Sequence, residues 1–147
     1  EVYGQAFCQK DSYFKILCTC PGRYLLLVYR RTMLERCLAQ PEVMKLLEQF
    51  GYRREEPLEA NLERLGRRAA GQGGFPHEIG LFLGYPAEDV EGFIRYGGEG
   101  CKLCGCWKVY GDVEHASRQF ARISGVCRAC VRRVEQGETL FEVFHVA

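Results

Sequence analysis

The first thirty residues carry the hydrophobic pattern of two β-strands. Residues 13–18 and 23–30 are mostly aromatic and aliphatic, and such runs are typical of strands when turn residues bound them. Between them, Pro21 and Gly22 suit the two central positions of a type II turn, in which the glycine takes a positive φ. The sequence therefore predicts a β-hairpin in this part of the chain.

From Thr32 onward, apolar residues recur every three or four positions, which is the spacing of amphipathic helices. Pro41 and Pro86 suit the first turn of a helix, and Asp112 suits an N-cap position. Helices are predicted to begin at or near Thr32, Pro41, Leu58, Pro86, Asp112 and Val126.

Residues 140–146 are mostly aliphatic and aromatic and predict a closing strand. The expected fold class is α+β, in which a small antiparallel sheet from the N-terminal hairpin and the C-terminal strand packs with about five helices. We expect a single domain over residues 1–147. Its predicted parts are a hairpin region 1–30, a helical region 31–96 and a cysteine-rich region 97–147.

The composition fits a globular domain and excludes a disordered, coiled-coil or collagen-like chain. Of 147 residues, 47% are hydrophobic and 27% are charged, and 20 basic against 19 acidic side chains leave a net charge of +1. The longest apolar run, residues 24–29, is far shorter than the roughly 20 residues that cross a bilayer. With no export signal at its start, we expect a cytoplasmic protein with no membrane partner.

Nine cysteines are the main candidate chemistry, and their odd number argues against a closed disulfide framework. In a reducing cytoplasm, thiols more often serve as metal ligands, redox groups or core residues. Two Cys-x-x-Cys pairs have the spacing of a four-thiolate zinc site, with iron or an iron–sulfur cluster as alternatives. Gly105 supports this interpretation because a glycine lets the backbone turn tightly beneath a metal. The predicted ligands are Cys101, Cys104, Cys127 and Cys130.

The same cysteines support two other interpretations. Cys106 adds a third thiol and could act as the resolving partner of Cys101 or Cys104 in a thiol enzyme or redox protein. Alternatively, Cys127 and Cys130 lie on one helix face as small core residues of a non-catalytic interaction module.

A histidine and a carboxylate stand side by side at His77 and Glu78, where an apolar segment begins. Such a pair could supply an acid–base group or a metal ligand. The local sequence identifies no nucleophile, so the favoured interpretation is that His77 satisfies nearby backbone groups while Gly80 and Gly84 allow close helix packing. The candidate catalytic residues are His77, Glu78 and Cys106.

The arginine pairs of the chain are scattered and are balanced by acidic residues, so a nucleic-acid partner is not expected. The sequence contains no phosphate-binding glycine loop and no Gly-x-Ser-x-Gly elbow. A protein partner is left open, and its identity does not follow from the sequence.

Residues 75–112 resemble one bacterial family. They read Phe-Pro-His-Glu-Ile-Gly-Leu-Phe-Leu-Gly-Tyr-Pro at 75–86, Glu-Asp-Val at 88–90 and Gly-Phe-Ile at 92–94. A cysteine cluster then runs into Trp-Lys-Val-Tyr-Gly-Asp at 107–112. In these motifs the chain resembles the domain of unknown function 3793 family, with weaker similarity on both sides that extends to about three quarters of the chain.

The resemblance implies a cytoplasmic protein of mainly anaerobic bacteria, sometimes associated with iron uptake, but no established reaction. It also implies an N-terminal stretch with a His-Cys pair ahead of the hairpin, which this sequence lacks. We therefore expect a truncated or divergent member. The resemblance favours metal or redox chemistry but does not indicate which metal is bound.

We accordingly expect a small metal-binding protein that holds zinc or iron with four thiolates, next to a pocket or partner surface formed by the His77 segment. The alternative is a thiol-dependent enzyme or redox protein that uses Cys101, Cys104 and Cys106 with His77 or Glu78. A closed four-thiolate site is unreactive, and its loss should unfold the C-terminal half. A catalytic thiol needs exposure, and its loss should spare the fold.

Overall fold

The computed structural model describes residues 11–20, 23–71 and 74–144, which contain four strands and seven helices. The strands are β1 (Ser12–Cys20), β2 (Arg23–Arg30), β3 (Leu103–Cys104) and β4 (Lys108–Val109). The helices are α1 (Arg31–Leu38), α2 (Pro41–Glu48), α3 (Leu58–Ala70), α4 (Ile79–Phe82), α5 (Ala87–Tyr96), α6 (Val113–Glu135) and α7 (Leu140–Val143). The predicted α+β class is confirmed.

Strands β1 and β2 form the predicted antiparallel hairpin, with a β-bulge between Ile16 and Cys18. One face of this hairpin packs on α3 and buries Leu17 and Leu27. The contact is close: a Cβ added to Gly66 of α3 would lie 2.6 Å from the carbonyl oxygen of Leu17. Only glycine at this position allows the helix and the strand to approach so closely. The predicted turn at 21–22 lies outside the described residues.

The opposite face of the hairpin is apolar and exposed. Phe14 pairs with Val28 and Ile16 with Leu26, and all four side chains are exposed. Within the described residues, the core therefore receives side chains from the side of this sheet that faces α3.

The core lies between the hairpin and helices α1 to α5. Tyr52, Leu47, Leu62, Leu65 and Leu81 are almost completely buried. In α3, Leu58, Leu62 and Leu65 face inward at the helical spacing predicted from the sequence. The stripe of leucines along α3 therefore joins the hairpin to the other helices.

The predicted closing strand is wrong for residues 140–144, which form α7 and a turn. A capping box starts this helix: the Thr139 hydroxyl accepts from the backbone N–H of Glu142, and the Glu142 carboxylate accepts from the backbone N–H of Thr139 at 2.7 Å. This reciprocal pairing satisfies two N–H groups at the helix start and favours helix over strand. The sheet therefore gains no strand from this segment.

The predicted separate helix over 126–135 is also wrong, because these residues continue α6. Gly125 lies inside the helix without a proline to break it, and a glycine at such a position costs only about 1 kcal/mol. Ala116 is the one buried residue of α6, so most of this helix is exposed to solvent. Neither α6 nor any other helix in the described ranges combines the length and apolarity needed to cross a membrane.

We predict that Gly66→Ala lowers the free energy of unfolding by about 1–3 kcal/mol, because the added methyl group must push α3 away from β1. Urea denaturation measures the change. Gly125→Ala is the matched control, since a Cβ there meets no atom within 4 Å, and it should stabilise the protein by up to about 1 kcal/mol. Equal effects of the two substitutions would contradict the close packing of α3 on the hairpin.

Candidate functional site

The first cysteine cluster lies on a second, very short hairpin. Strands β3 and β4 pair antiparallel, with Cys104 opposite Lys108, and the backbone N–H of Gly105 donates to the carbonyl of Trp107 at 3.0 Å. This tight turn leaves the Cys104 and Cys106 side chains exposed. We call residues 103–109 the cysteine hairpin.

Asp89 fixes the cysteine hairpin to α5. Its side chain is 2% exposed and accepts hydrogen bonds from the Trp107 indole at 2.7 Å and from the backbone N–H groups of Tyr110 and Gly111 at 2.7 and 2.8 Å. Hydrogen bonds to a charged acceptor offset much of the cost of removing a carboxylate from water. A single side chain on α5 thus positions both the end of β4 and the only tryptophan of the chain.

Aromatic contacts hold Trp107 on its other sides. The indole stacks on Tyr85, with ring centroids 4.7 Å apart, and meets the edge of Phe120 of α6 at 4.5 Å. A Cβ at Gly105 would overlap the Phe120 ring. The glycine between the two thiols is therefore required by packing against α6, a reason different from the tight turn beneath a metal that the sequence suggested.

A cavity of about 520 Å³ opens between the β1–β2 hairpin, the α4–α5 segment and the cysteine hairpin. The cysteine hairpin supplies Cys104, Gly105, Cys106, Trp107 and Lys108 to its wall, and most of the remaining wall is aliphatic or aromatic. The pKa of the Tyr85 phenol, also in this wall, is raised by burial and secondarily by the neighbouring Cys106. Both thiols of the turn therefore border one largely apolar pocket.

The structure brings His77 to the same cavity as Cys104 and Cys106. The imidazole is exposed and meets the edge of Phe93 with ring centroids 4.9 Å apart, with Phe75 on another side at 6.0 Å. His77, which is 27 positions before Cys104 in the sequence, thus shares one pocket with both thiols of the thiol-enzyme interpretation. Of the two expected packing glycines, Gly80 does lie against Val90 and Tyr85, whereas a Cβ at Gly84 would meet nothing within 4 Å.

Glu78 lies elsewhere, with only 1% of its surface exposed. Its carboxylate accepts from the Arg68 guanidinium and from the Tyr52 hydroxyl at 3.3 Å. The hydrogen bond that Arg68 donates to Glu78 raises the pKa of Arg68. Burial, reinforced by the Glu78 charge, raises the pKa of Tyr52 far above its ordinary value. This buried carboxylate neutralises the partly exposed Arg68 and does not line the pocket.

The four predicted metal ligands do not converge. Cys101 lies beside Tyr110: burial is the main cause that raises the pKa of this tyrosine, and Cys101 is the second. Cys127 and Cys130 lie on α6. Phe120 of α6 packs against the cysteine hairpin, and Cys127 lies two helical turns, or about 10 Å, further along the helix axis. Within the described residues, no three His, Cys, Asp or Glu side chains are placed to hold a metal ion. The present geometry therefore does not fit the four-thiolate site, which stays a prediction.

Sequence reasoning missed three residues that build this site: Asp89, Trp107 and Lys108. Asp89 lies in the first turn of the helix that Pro86 begins, where an acidic residue is ordinarily explained by the helix dipole. All three belong to the motifs on which the family resemblance rests. Local sequence patterns could not reveal these contacts, because the hydrogen bonds join residues 18 to 22 positions apart. The family resemblance was the signal that could have pointed to these residues.

We predict that Asp89→Asn lowers the free energy of unfolding by about 2–3 kcal/mol, because an amide N–H₂ then faces an N–H donor in a buried site. Urea denaturation, monitored through Trp107 fluorescence, measures both the free energy of unfolding and the release of the indole. Glu91→Gln on the same helix is the control, since its exposed pair with Arg95 contributes less than about 0.5 kcal/mol. If Asp89→Asn is no more destabilising than this control, Asp89 is not the anchor.

The comparisons with known proteins give a family and no activity. No curated protein and no solved structure gives a significant match to the chain. The sequence profile of the family described as "Protein of unknown function (DUF3793)" matches residues 1–144. The match extends beyond the part of the chain in which the sequence motifs suggested it, and it includes the hairpin, the pocket and the cysteine hairpin. The chain therefore belongs to the DUF3793 family.

Proposed function

We propose that this protein is a thiol-dependent redox enzyme that acts on a small organic molecule in the cavity beside the cysteine hairpin. One observation carries the proposal: Cys104, Cys106 and His77 line the same pocket. Its volume of about 520 Å³ falls within the range of roughly 300–1,000 Å³ that is usual for small-molecule sites. The exposure of both thiols also favours reactivity over a role in the core.

The reaction proposed for these groups is thiol–disulfide exchange. The Cys104 sulfur attacks one sulfur of a bound organic disulfide, the S–S bond of that molecule breaks, and its other sulfur leaves. Cys106 then attacks the Cys104 sulfur, so that a Cys104–Cys106 disulfide forms and the second half of the molecule leaves as a thiol. Two electrons and two protons pass from the protein thiols to the bound disulfide, and a cellular thiol reductant restores the pair.

His77 is the proposed acid–base group. It takes the proton of the attacking thiol and returns it to the departing sulfur. Glu78 has no part in this proposal, because its carboxylate is buried against Arg68 and Tyr52. Cys101 is likewise left out, because it does not line the pocket. A cytoplasmic location is proposed with this function, since a reducing compartment keeps both thiols available.

Metal binding is the second candidate function, and the spacing of the two Cys-x-x-Cys pairs favours it. It requires the C-terminal half of α6 to approach the cysteine hairpin, which is not its position here. The measurement is the zinc and iron content of protein purified anaerobically. The metal account expects one ion per chain and four thiols that react only after chelation, whereas metal-free protein with freely reacting thiols would exclude it.

For the thiol reaction, we predict that dipyridyl disulfide oxidises Cys104 and Cys106 to an internal disulfide about tenfold faster than it modifies Cys127, because the second thiol is already in place. Peptide mapping by mass spectrometry identifies the products. In Cys106→Ser the reaction should stop at a mixed disulfide on Cys104, with the fold retained.

Cys127→Ser is the matched control for an exposed thiol outside the pocket, and it should leave the fast reaction unchanged. Separate mixed disulfides on Cys104 and Cys106, formed no faster than on Cys127, would contradict a cooperating pair. Unfolding of Cys106→Ser would instead point to a structural role for this thiol.

A further inference from the structure

Among the described residues, the pocket wall contains one lysine that forms no ion pair with a carboxylate. Lys108 lines the cavity, and its ammonium donates to the carbonyl of Gly98 at 2.6 Å. The ion pairs formed among the described residues do not include this lysine. Because an ammonium has three N–H donors and this contact uses one, Lys108 keeps donors for a ligand.

The position of Lys108 is fixed along the pocket wall. A Cβ at Gly98 would lie 2.8 Å from the lysine Nζ and 3.2 Å from the Phe93 ring, so both side chains lie close against this glycine. Cys104 lies opposite Lys108 in the β3–β4 register. Directly opposed residues of an antiparallel pair lie on the same face, so Lys108 and Cys104 project from the same side of the cysteine hairpin.

Asp89, the one carboxylate that the described part of the chain contributes to the wall, has no oxygen free for a ligand. Both oxygens of Asp89 already accept hydrogen bonds, from Trp107, Tyr110 and Gly111, and the side chain is buried. It cannot pair with a cationic ligand without giving up one of these contacts. The charge that the pocket presents to a bound molecule is thus the positive charge of Lys108.

The remaining wall selects an apolar body. Its side chains include Leu17, Leu25, Leu27, Val90, Phe93 and Trp107. A hydrocarbon or aromatic group gains free energy by leaving water for such a surface, whereas a second charge would lose its hydration without a partner.

We propose that the pocket binds an apolar monocarboxylate, with the carboxylate paired to Lys108 and the hydrocarbon or aromatic body between the β1–β2 hairpin and Trp107. This inference rests on the proposed function of the same pocket and names the class of molecule on which its thiols act. An organic disulfide with one carboxylate end satisfies both requirements.

The test is to titrate the protein with decanoate, decanol and decylammonium. Binding is monitored through the fluorescence of Trp107, the only tryptophan of the sequence. The wild-type protein should bind decanoate about tenfold more tightly than decanol, as one charge-assisted hydrogen bond implies, and decylammonium most weakly. Lys108→Gln should bind decanoate and decanol equally.

Lys102→Gln is the matched control. Lys102 also donates to a backbone carbonyl, that of Gly111 at 3.0 Å, but it does not line the pocket. This variant should keep the tenfold preference for decanoate. Equal binding of decanoate and decanol by the wild type, an unchanged preference in Lys108→Gln, or no binding of any probe would overturn the inference.

The reaction with dipyridyl disulfide separates this inference from the proposed function, because that reagent carries no carboxylate. Fast pairing of Cys104 with Cys106 without a preference for decanoate overturns only the ligand class. A preference for decanoate that depends on Lys108, without fast pairing of the thiols, supports the ligand class and overturns only the redox function.

Discussion

The buried carboxylate of Asp89 is the group on which the arrangement of the pocket depends. It lies on α5, within the helical layer, and its three donors lie in or just after the cysteine hairpin. Removing a carboxylate from water is costly, and each of the three N–H groups that reach it offsets part of that cost. Because these donors include the Trp107 indole, the same contact positions the aromatic wall of the cavity. The short β3–β4 pairing contributes only two residues per strand and depends on this anchor.

The neighbouring side chains of His77 and Glu78 show how the core and the pocket meet. Glu78 points into the core, where Arg68 and Tyr52 satisfy its carboxylate, and this fixes the start of the α4 segment. His77 then faces the other way, toward Phe93 and the cavity. Glu78 is almost completely buried whereas Arg68 is partly exposed, and this pairing strongly penalises any arrangement that leaves the buried carboxylate without a donor. It therefore acts on the pocket by holding the imidazole in place.

Local patterns in the sequence predicted the first hairpin and the helices, because strand and helix periodicity are short-range properties. Two short-range signals were nevertheless misread: the Thr139 and Glu142 capping box starts a helix where a strand was expected, and α6 continues through Gly125. The anchoring by Asp89 was beyond such reasoning, since it joins residues on different elements. The cysteine spacing suggested a metal site, yet the described geometry instead places two of the thiols with His77, and only the fold could decide which residues meet.

Hydrogen exchange measured by NMR tests the central claim most directly, because it observes the three donors to Asp89 one by one. If the carboxylate anchors the cysteine hairpin, its three donor protons are protected and exchange as slowly as the amide protons of α5, through the same opening event. These are the amide protons of Tyr110 and Gly111 and the indole proton of Trp107. If these three protons exchange at the rate of exposed amides while α5 remains protected, the cysteine hairpin is not held on the core and the pocket does not exist as described.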